Sequence, residues 1–276
     1  MSELAILGAG AWGTALALHA ARAGRRVTLW ARDPAQAAEM AAARANARRL
    51  PGFPFPDSLA VTAEAEAALA GAALAILAVP MQPLRATLAA LPARLPPLLL
   101  ACKGMEAGSG LLPLEVLAEA RPGLAAGVLS GPNFAHEVAA GLPAASVVAA
   151  RDPALIRDAL ARLAGPALRL YASEDVAGVQ AGGAAKNVLA IAAGVAMGAG
   201  LGENARAALV TRGVAELARL VTGLGGRAET AAGLSGLGDL VLTATGPGSR
   251  NTSLGLALGR GERLADILAA RSAVTE

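Results

Sequence analysis

The sequence predicts two parts of different class: a parallel α/β sheet domain over residues 1–173, then an all-helical domain over residues 174–276. Three observations predict this. Short, continuous apolar runs recur through the first part, each stopped by Gly or Pro. Helical segments separate them. After about Ser173 the runs cease and apolar positions return at helical spacing. Unbroken rather than alternating apolar runs mark strands covered on both faces, as in parallel sheets.

Taken in order, Leu4-Ala-Ile-Leu7 is a strand stopped by Gly8. Thr14 to Ala23 reads as a helix closed by Gly24, and Val27 to Trp30 as a second strand. Arg32-Asp33-Pro34 turns into an Ala-rich helix ending near Asn46. Residues 50–56 hold three prolines and read as loop. Leu74 to Val79, Leu98 to Cys102, Val128 to Ser130, Ser146 to Ala150 and Leu168 to Tyr171 are further strands. From Asp175 to Leu268 no strand is convincing. Ala205 to Leu220 is the clearest helix, with Arg206, Arg212, Glu216 and Arg219 among its polar positions.

Composition narrows the function classes. The 276 residues are 55% hydrophobic with net charge +3, which is the reverse of a disordered chain. One cysteine, Cys102, excludes a disulfide scaffold, and with only two histidines no metal site is expected. Mean hydropathy is +0.51. The most apolar stretches, 65–81 and 188–201, are nevertheless mostly Ala and Gly, so no membrane insertion is expected. A strand, a Gly loop and a helix fill residues 4–18, leaving no room for a signal peptide. The excess of Arg is small and forms no basic run, so no nucleic acid is expected as partner. Anionic small molecules suit the charge better.

Gly8-Ala9-Gly10-Ala11-Trp12-Gly13 is a G-x-G-x-x-G that follows a strand and opens a helix, the context that gives this motif meaning. The first Gly permits a tight turn, the second lets backbone approach a pyrophosphate, and the third packs helix on strand. A dinucleotide site on a Rossmann-like sheet is therefore expected, with Gly8, Gly10, Ala11, Trp12 and Gly13 in contact. The second strand ends in Leu29-Trp30 without the acid that usually binds an NAD ribose, and Arg32 follows. An Arg there pairs with a 2′-phosphate, which favours NADP with NAD tolerated. Asp33 is the rival, as a helix cap or a ribose contact. The second cluster, Gly233 to Gly238, lacks a preceding strand and reads as a tight inter-helix loop presenting Asp239.

Of 24 cationic residues only Lys103 and Lys186 are lysines. Excess Ala, Gly, Arg and Pro points to GC-rich coding, and against that drift a retained Lys is informative. Arg stays charged and cannot accept a proton, whereas a desolvated Lys can. Lys103 follows an apolar strand beside Gly104, at the carboxyl edge of the sheet where ligands gather. Lys186 stands among Gly182, Gly183, Ala184, Ala185 and Val188, where burial lowers its pKa.

The chain resembles the bacterial NAD(P)-dependent sn-glycerol-3-phosphate dehydrogenases over its whole length. The motifs are Gly8 to Gly13, Cys102-Lys103-Gly104, Ser130-Gly131-Pro132-Asn133-Phe134-Ala135 with Glu137, Lys186-Asn187-Val188, Gly236-Leu-Gly-Asp239-Leu240, and Ser249-Arg250-Asn251. The resemblance implies reversible oxidation of sn-glycerol 3-phosphate to dihydroxyacetone phosphate, supplying phospholipid synthesis in the cytoplasm, by a homodimer. It implies Lys186 as proton acceptor, with Lys103 and Asp239 as its catalytic companions. Substrate would be lined by Lys103, Gly131, Asn133, Lys186, Asp239, Ser249, Arg250 and Asn251. Further dinucleotide contacts would come from Trp12, Arg32, Lys103, Ala135, Arg250, Val274 and Glu276. Arg250 beside Asn251 and Thr252 also reads independently as an anion site at a helix start.

The sequence departs from the family at three places. Cys102 stands where a Ser is usual, and Asn133 where Ser or Thr is usual. The sequence also stops at Glu276, where relatives continue for several helices, so an incomplete C-terminus is expected. Two other readings remain open: a related two-domain hydroxyacid or ketoacid reductase, and a non-catalytic dinucleotide-binding module. His136 and Glu137 are adjacent and so face different ways on a helix, which argues for helix-start roles rather than an acid–base dyad.

Overall fold

The computed structural model describes residues 3–246 and 248–270. Two compact units divide the chain. One comprises residues up to Leu129 together with Asn133–Val176; the other comprises Ser130–Pro132 and residues from Ala177 onward.

The first unit alternates strands and helices throughout: β1 (Leu4–Leu7), α1 (Ala11–Arg22), β2 (Val27–Trp30), α2 (Pro34–Ala43), β3 (Leu59–Thr62), α3 (Ala65–Leu69), β4 (Leu74–Leu77), α4 (Leu84–Ala90), β5 (Leu98–Leu100), α5 (Pro113–Ala120), β6 (Ala126–Ser130), α6 (Ala135–Ala140), β7 (Ala144–Ala150), α7 (Pro153–Leu163) and β8 (Leu168–Ser173). The strands form one sheet in the order β3-β2-β1-β4-β5-β6-β7-β8. β1 pairs in parallel with both β2 and β4. The strand order therefore reverses beside β1, which is where this architecture opens a crevice for ligands.

Burial explains the apolar runs. Every residue of β1 and β4 is wholly buried, and the core joins Leu4, Ile6, Leu29 and Ile76 to Leu16 and Leu18 of α1. β3 escaped the sequence reading. It is an edge strand in which Leu59 is buried while Ala60 is exposed, so its hydrophobic signal is weak. Two helices begin with Asp-Pro for the same reason. Asp33 accepts from the Ala35 N–H at 3.0 Å, Asp152 accepts from the Ala154 N–H at 2.8 Å, and the proline supplies a helical first residue with no N–H to satisfy.

The second unit is helical: α8 (Val176–Gly198), α9 (Gly202–Gly223), a 3-10 turn (Ala228–Ala232), a π-helical turn (Leu234–Gly238), α10 (Asp239–Thr245), α11 (Arg250–Gly259) and α12 (Leu264–Ala269). Glycines set how closely α8 and α11 approach. A Cβ on Gly255 would collide with the Ile191 carbonyl and lie 2.9 Å from Gly194 Cα. Gly198 and Gly259 meet the same way one turn later. Backbone-to-backbone contact of this kind fixes the register of the two helices, because no side chain intervenes to absorb a shift. α8 is long and apolar enough to cross a membrane by length and composition, but half of its apolar window is buried inside the protein, as in a core helix.

Candidate active site and dinucleotide loop

The loop between β1 and α1 has the stereochemistry its glycines predict. Gly8 has φ +118°, and a Cβ there would lie 2.5 Å from the Ala78 carbonyl oxygen just past β4. A Cβ on Gly13 would collide with the Gly8 carbonyl. Gly10 differs, because nothing lies within 4 Å of the Cβ it lacks. That open space, at the N-cap of a helix whose first turn has no side-chain cap, is a cradle with free backbone donors. A pyrophosphate suits it in charge.

Around this loop, Trp12 is half-buried and packs on the core, as does Ala135 at the start of α6. Arg32 is exposed two residues past β2, at the strand's carboxyl end. Asp33, its rival for the ribose, is engaged as the cap of α2. Lys103 is half-buried in the loop after β5, next to Gly104, whose φ is +126°. An ion-pair cluster holds this loop. Arg85 of α4 donates to both oxygens of Glu106 at 2.8 Å and also contacts Glu119 of α5 at 2.8 Å. The guanidinium beside it holds the Glu106 carboxyl down to about 2, aided by the Ser109 hydroxyl.

In the helical unit, Lys186 of α8 and Asp239 of α10 form a buried ion pair at 2.9 Å, with side chains 11% and 2% exposed. Lys186 Nζ also donates to Thr243 Oγ1 at 3.0 Å. Thr243 in turn donates to the Asp239 carbonyl at 2.6 Å, so the lysine meets two groups one helical turn apart on α10. The π-helical turn immediately before Asp239 is the kind of irregularity that often marks a functional site, and it sets where α10 begins. A Cβ on Gly182 of α8 would lie 2.8 Å from the Ser235 carbonyl of this turn, so α8 carries Lys186 close to it. The glycine cluster read as an inter-helix loop is thus partly helical.

Next along α8, Asn187 Oδ1 accepts from Asn251 Nδ2 at 2.7 Å. Asn251 Oδ1 is left buried with no partner. Ser249, expected to line substrate, accepts from the Thr252 N–H at 3.1 Å and caps α11, which leaves its hydroxyl proton to donate elsewhere. Arg250 at the first position of α11 is exposed. Ser130 Oγ, beside Gly131, is also buried and unpartnered. In the sheet unit, Asn133 Nδ2 donates to Ser146 Oγ at 2.8 Å while its Oδ1 has no partner. A buried acceptor left alone costs about 1–3 kcal/mol, so each of these atoms is open to a further donor.

Val274 and Glu276 lie outside the described residues. His136 Nε2 comes within 3.9 Å of Glu137 Oε1, closer than adjacent helix positions suggest, because both sit in the first turn and are solvent-exposed. Thr243 and Asn187 were missed as site residues. Thr243 had one available signal, its i+4 spacing from Asp239.

Comparison with known proteins follows the same division. Residues 3–156 match the family model of the NAD-dependent glycerol-3-phosphate dehydrogenase N-terminus, and residues 175–276 that of its C-terminus. The chain is 53% identical over 277 residues to glycerol-3-phosphate dehydrogenase (NAD(P)+) of Aromatoleum aromaticum, covering 99% of this chain and 84% of that protein. It is 57% identical over 261 residues to the protein of that name from Acidiphilium cryptum, covering 95% and 80%. The crystal structure of glycerol-3-phosphate dehydrogenase from Coxiella burnetii superposes with TM-score 0.94 at 41% identity, over 99% of this chain and 85% of that one.

Proposed function

The chain belongs to the NAD-dependent glycerol-3-phosphate dehydrogenase family, and from that premise we propose how its own residues perform the reaction. It is an NAD(P)-dependent oxidoreductase interconverting sn-glycerol 3-phosphate and dihydroxyacetone phosphate. The observation that carries the residue assignment is the buried Lys186–Asp239 pair.

When bound, the nicotinamide supplies the hydride acceptor or donor. In the reducing direction Lys186 Nζ, held as an ammonium beside Asp239, donates a hydrogen bond to the substrate carbonyl and then its proton to the forming alkoxide. In the oxidising direction the neutral amine takes the hydroxyl proton as hydride leaves carbon. Asp239 and Thr243 hold the amine in one place, which supplies orientation rather than proton transfer. Asn251, with its unpartnered Oδ1, and Arg250 at the head of α11 are assigned to the substrate's polar and phosphate ends.

Gly8 to Gly13 hold the pyrophosphate, Trp12 and Ala135 flank the dinucleotide, and Arg32 meets a 2′-phosphate where one is present. Lys103 contacts dinucleotide and substrate, with Gly131 and Asn133 on the substrate's side. The product supplies glycerol 3-phosphate to phospholipid synthesis in the cytoplasm, and the working form is a homodimer, to be checked by sedimentation. We place the division between the two domains at residues 173/174.

Dihydroxyacetone phosphate reduction with NADPH, in wild type and Lys186→Ala, tests the core of this reading. A variant that keeps full turnover removes Lys186 from the chemistry. Comparing NADPH with NADH in Arg32→Ala tests the cofactor assignment, which an unchanged preference would sink.

A further inference from the structure

The Ala9 carbonyl, between the first two glycines of the nucleotide loop, accepts two side-chain amides. Asn46 Nδ2 donates to it at 3.0 Å and Gln36 Nε2 at 3.3 Å. The same Asn46 nitrogen donates to Thr14 Oγ1 at 2.8 Å, in the first turn of α1. Asn46 is 1% exposed, and its Oδ1 accepts from the Arg49 N–H at 3.2 Å. Its donors thus go to the nucleotide loop and its acceptor to its own segment.

That segment is itself anchored. Arg44, in the left-handed region at φ 49°, donates to the carbonyls of Leu59, Phe55 and Pro56. Ala45 bridges Pro54, and Leu50 is buried in the core. Asn46 therefore joins a fixed support to the loop. The residue type matters: an amide nitrogen carries two N–H groups and can serve two acceptors at once, a hydroxyl serves one, and a carboxylate serves none.

A trans peptide is planar, with its C=O and N–H pointing in opposite directions. Tying the Ala9 carbonyl toward Asn46 aims the Gly10 N–H away from it, and the Gly10 α-carbon faces the open space of the cradle. We propose that Asn46, assisted by Gln36, is a positioning residue for the dinucleotide: it locks the Ala9–Gly10 peptide so that the Gly10 N–H is presented to the pyrophosphate before the ligand arrives. This rests on the reading of Gly8 to Gly13 as the dinucleotide loop.

The test measures the NADPH dissociation constant by calorimetry, both Michaelis constants, and the unfolding midpoint. Asn46→Asp keeps the shape and turns a donor into an acceptor facing a carbonyl. It is expected to weaken NADPH binding and raise its KM about tenfold. The KM for dihydroxyacetone phosphate, and kcat at saturating NADPH, should stay within about twofold. A general structural defect would move all of these together. Gln36→Leu, on a half-exposed site that unfolding does not threaten, is expected to weaken NADPH binding by about two- to threefold. A folded Asn46→Asp with unchanged NADPH affinity, or with both Michaelis constants raised alike, overturns the proposal. If that variant does not fold, unchanged affinity in Gln36→Leu overturns it instead. Gly10→Val separates the two levels. If it binds NADPH like wild type, the loop is not the site and both readings fall. If it abolishes binding while Asn46→Asp binds normally, only the positioning role falls.

Discussion

Lys186 Nζ donates to Asp239 Oδ1 across 2.9 Å, joining α8 to α10 over 53 residues of sequence in a place almost closed to solvent. Two opposed forces act on such a lysine: desolvation disfavours its charge and the carboxylate restores it. A lysine carries a proton that it can both give and take, which an arginine in its place does not. Lys186→Arg therefore keeps a cation but is expected to lose about 10²–10⁴ in kcat for dihydroxyacetone phosphate reduction. Steady-state kinetics decide it, and retention of more than about a tenth of wild-type kcat would remove the proton-transfer role.

Asp239→Asn and Thr243→Val separate charge from geometry. Removing the buried carboxylate leaves the ammonium without a counter-charge, at a cost of about 3–5 kcal/mol in stability or turnover. Removing only the Thr243 hydroxyl deletes its hydrogen bonds with Lys186 Nζ and the Asp239 carbonyl, each worth about 1 kcal/mol, and leaves the ion pair intact. Asn is thus expected to be clearly worse than Val in both kcat and unfolding midpoint. Equal effects would mean that Asp239 merely fills space.

The contrast between Lys186 and Thr243 shows what could be read in the chain alone. The lysine stood out because it is one of two in an arginine background, and its chemistry follows from its type. Thr243 is an ordinary threonine whose role exists only once α8 and α10 pack, 57 residues apart. Asn46 is similar: its partners Ala9 and Thr14 are 37 and 32 residues distant. Strands β1 and β4 were legible because burial on both faces leaves an unbroken apolar run, whereas β3 at the sheet edge has no such constraint. Ser249 was assigned to substrate by motif; its Oγ also accepts from the Thr252 N–H, a local cap that the helix start itself could have suggested.

The glycines between α8 and α11 predict a steep cost for a single methyl. Gly255→Ala places a Cβ against the Ile191 carbonyl and Gly194, where only backbone can yield. Overpacking of this kind costs about 1–3 kcal/mol. Gly223→Ala in α9, where nothing lies within 4 Å, is the control and is expected to be neutral or slightly stabilising. Thermal unfolding of the two variants distinguishes them, and a Gly255→Ala midpoint equal to the control's would show that the helices are free to separate.

His19 gives the sheet unit a dependence on mild acid. It is 6% exposed, its Nε2 lies 2.8 Å from the Leu163 carbonyl, and burial pushes its pKa below 6.5, with Arg22 adding to the shift and the carbonyl opposing it. Between that lowered value and about 6.5 the unfolded chain binds a proton that the folded chain does not. Stability contributed by the neutral ring is therefore complete above pH 6.5 and is lost as pH falls through this window. The unfolding midpoint of wild type is expected to drop more steeply from pH about 7.5 to about 5.5 than that of His19→Gln, which keeps a donor to Leu163 but cannot charge. Parallel curves would rule this residue out.

The loop carrying Lys103 depends on Glu106 three residues on. Arg85 grips both oxygens of that carboxylate and reaches Glu119 as well, tying the loop to α4 and α5 at one point. Its pKa, lowered to about 2 by the guanidinium, has a clear sign. The contribution is present above the carboxylate's ordinary value near 4.5, and it is lost only as pH falls from there toward 2. Across the working range of the enzyme the clamp stays closed, and it opens by mutation rather than by acid. Glu106→Gln preserves size and the Ser109 contact but gives Arg85 a neutral partner. Amide hydrogen exchange over residues 103–112 is expected to quicken by about tenfold, while global stability hardly moves, because solvent screens a half-exposed pair. With Lys103 less fixed, the KM for dihydroxyacetone phosphate should rise before kcat falls. Exchange unchanged in this loop would mean that its backbone bonds, Gly110 N–H to the Glu106 carbonyl and Glu106 N–H to the Leu111 carbonyl, hold it without the ion pair.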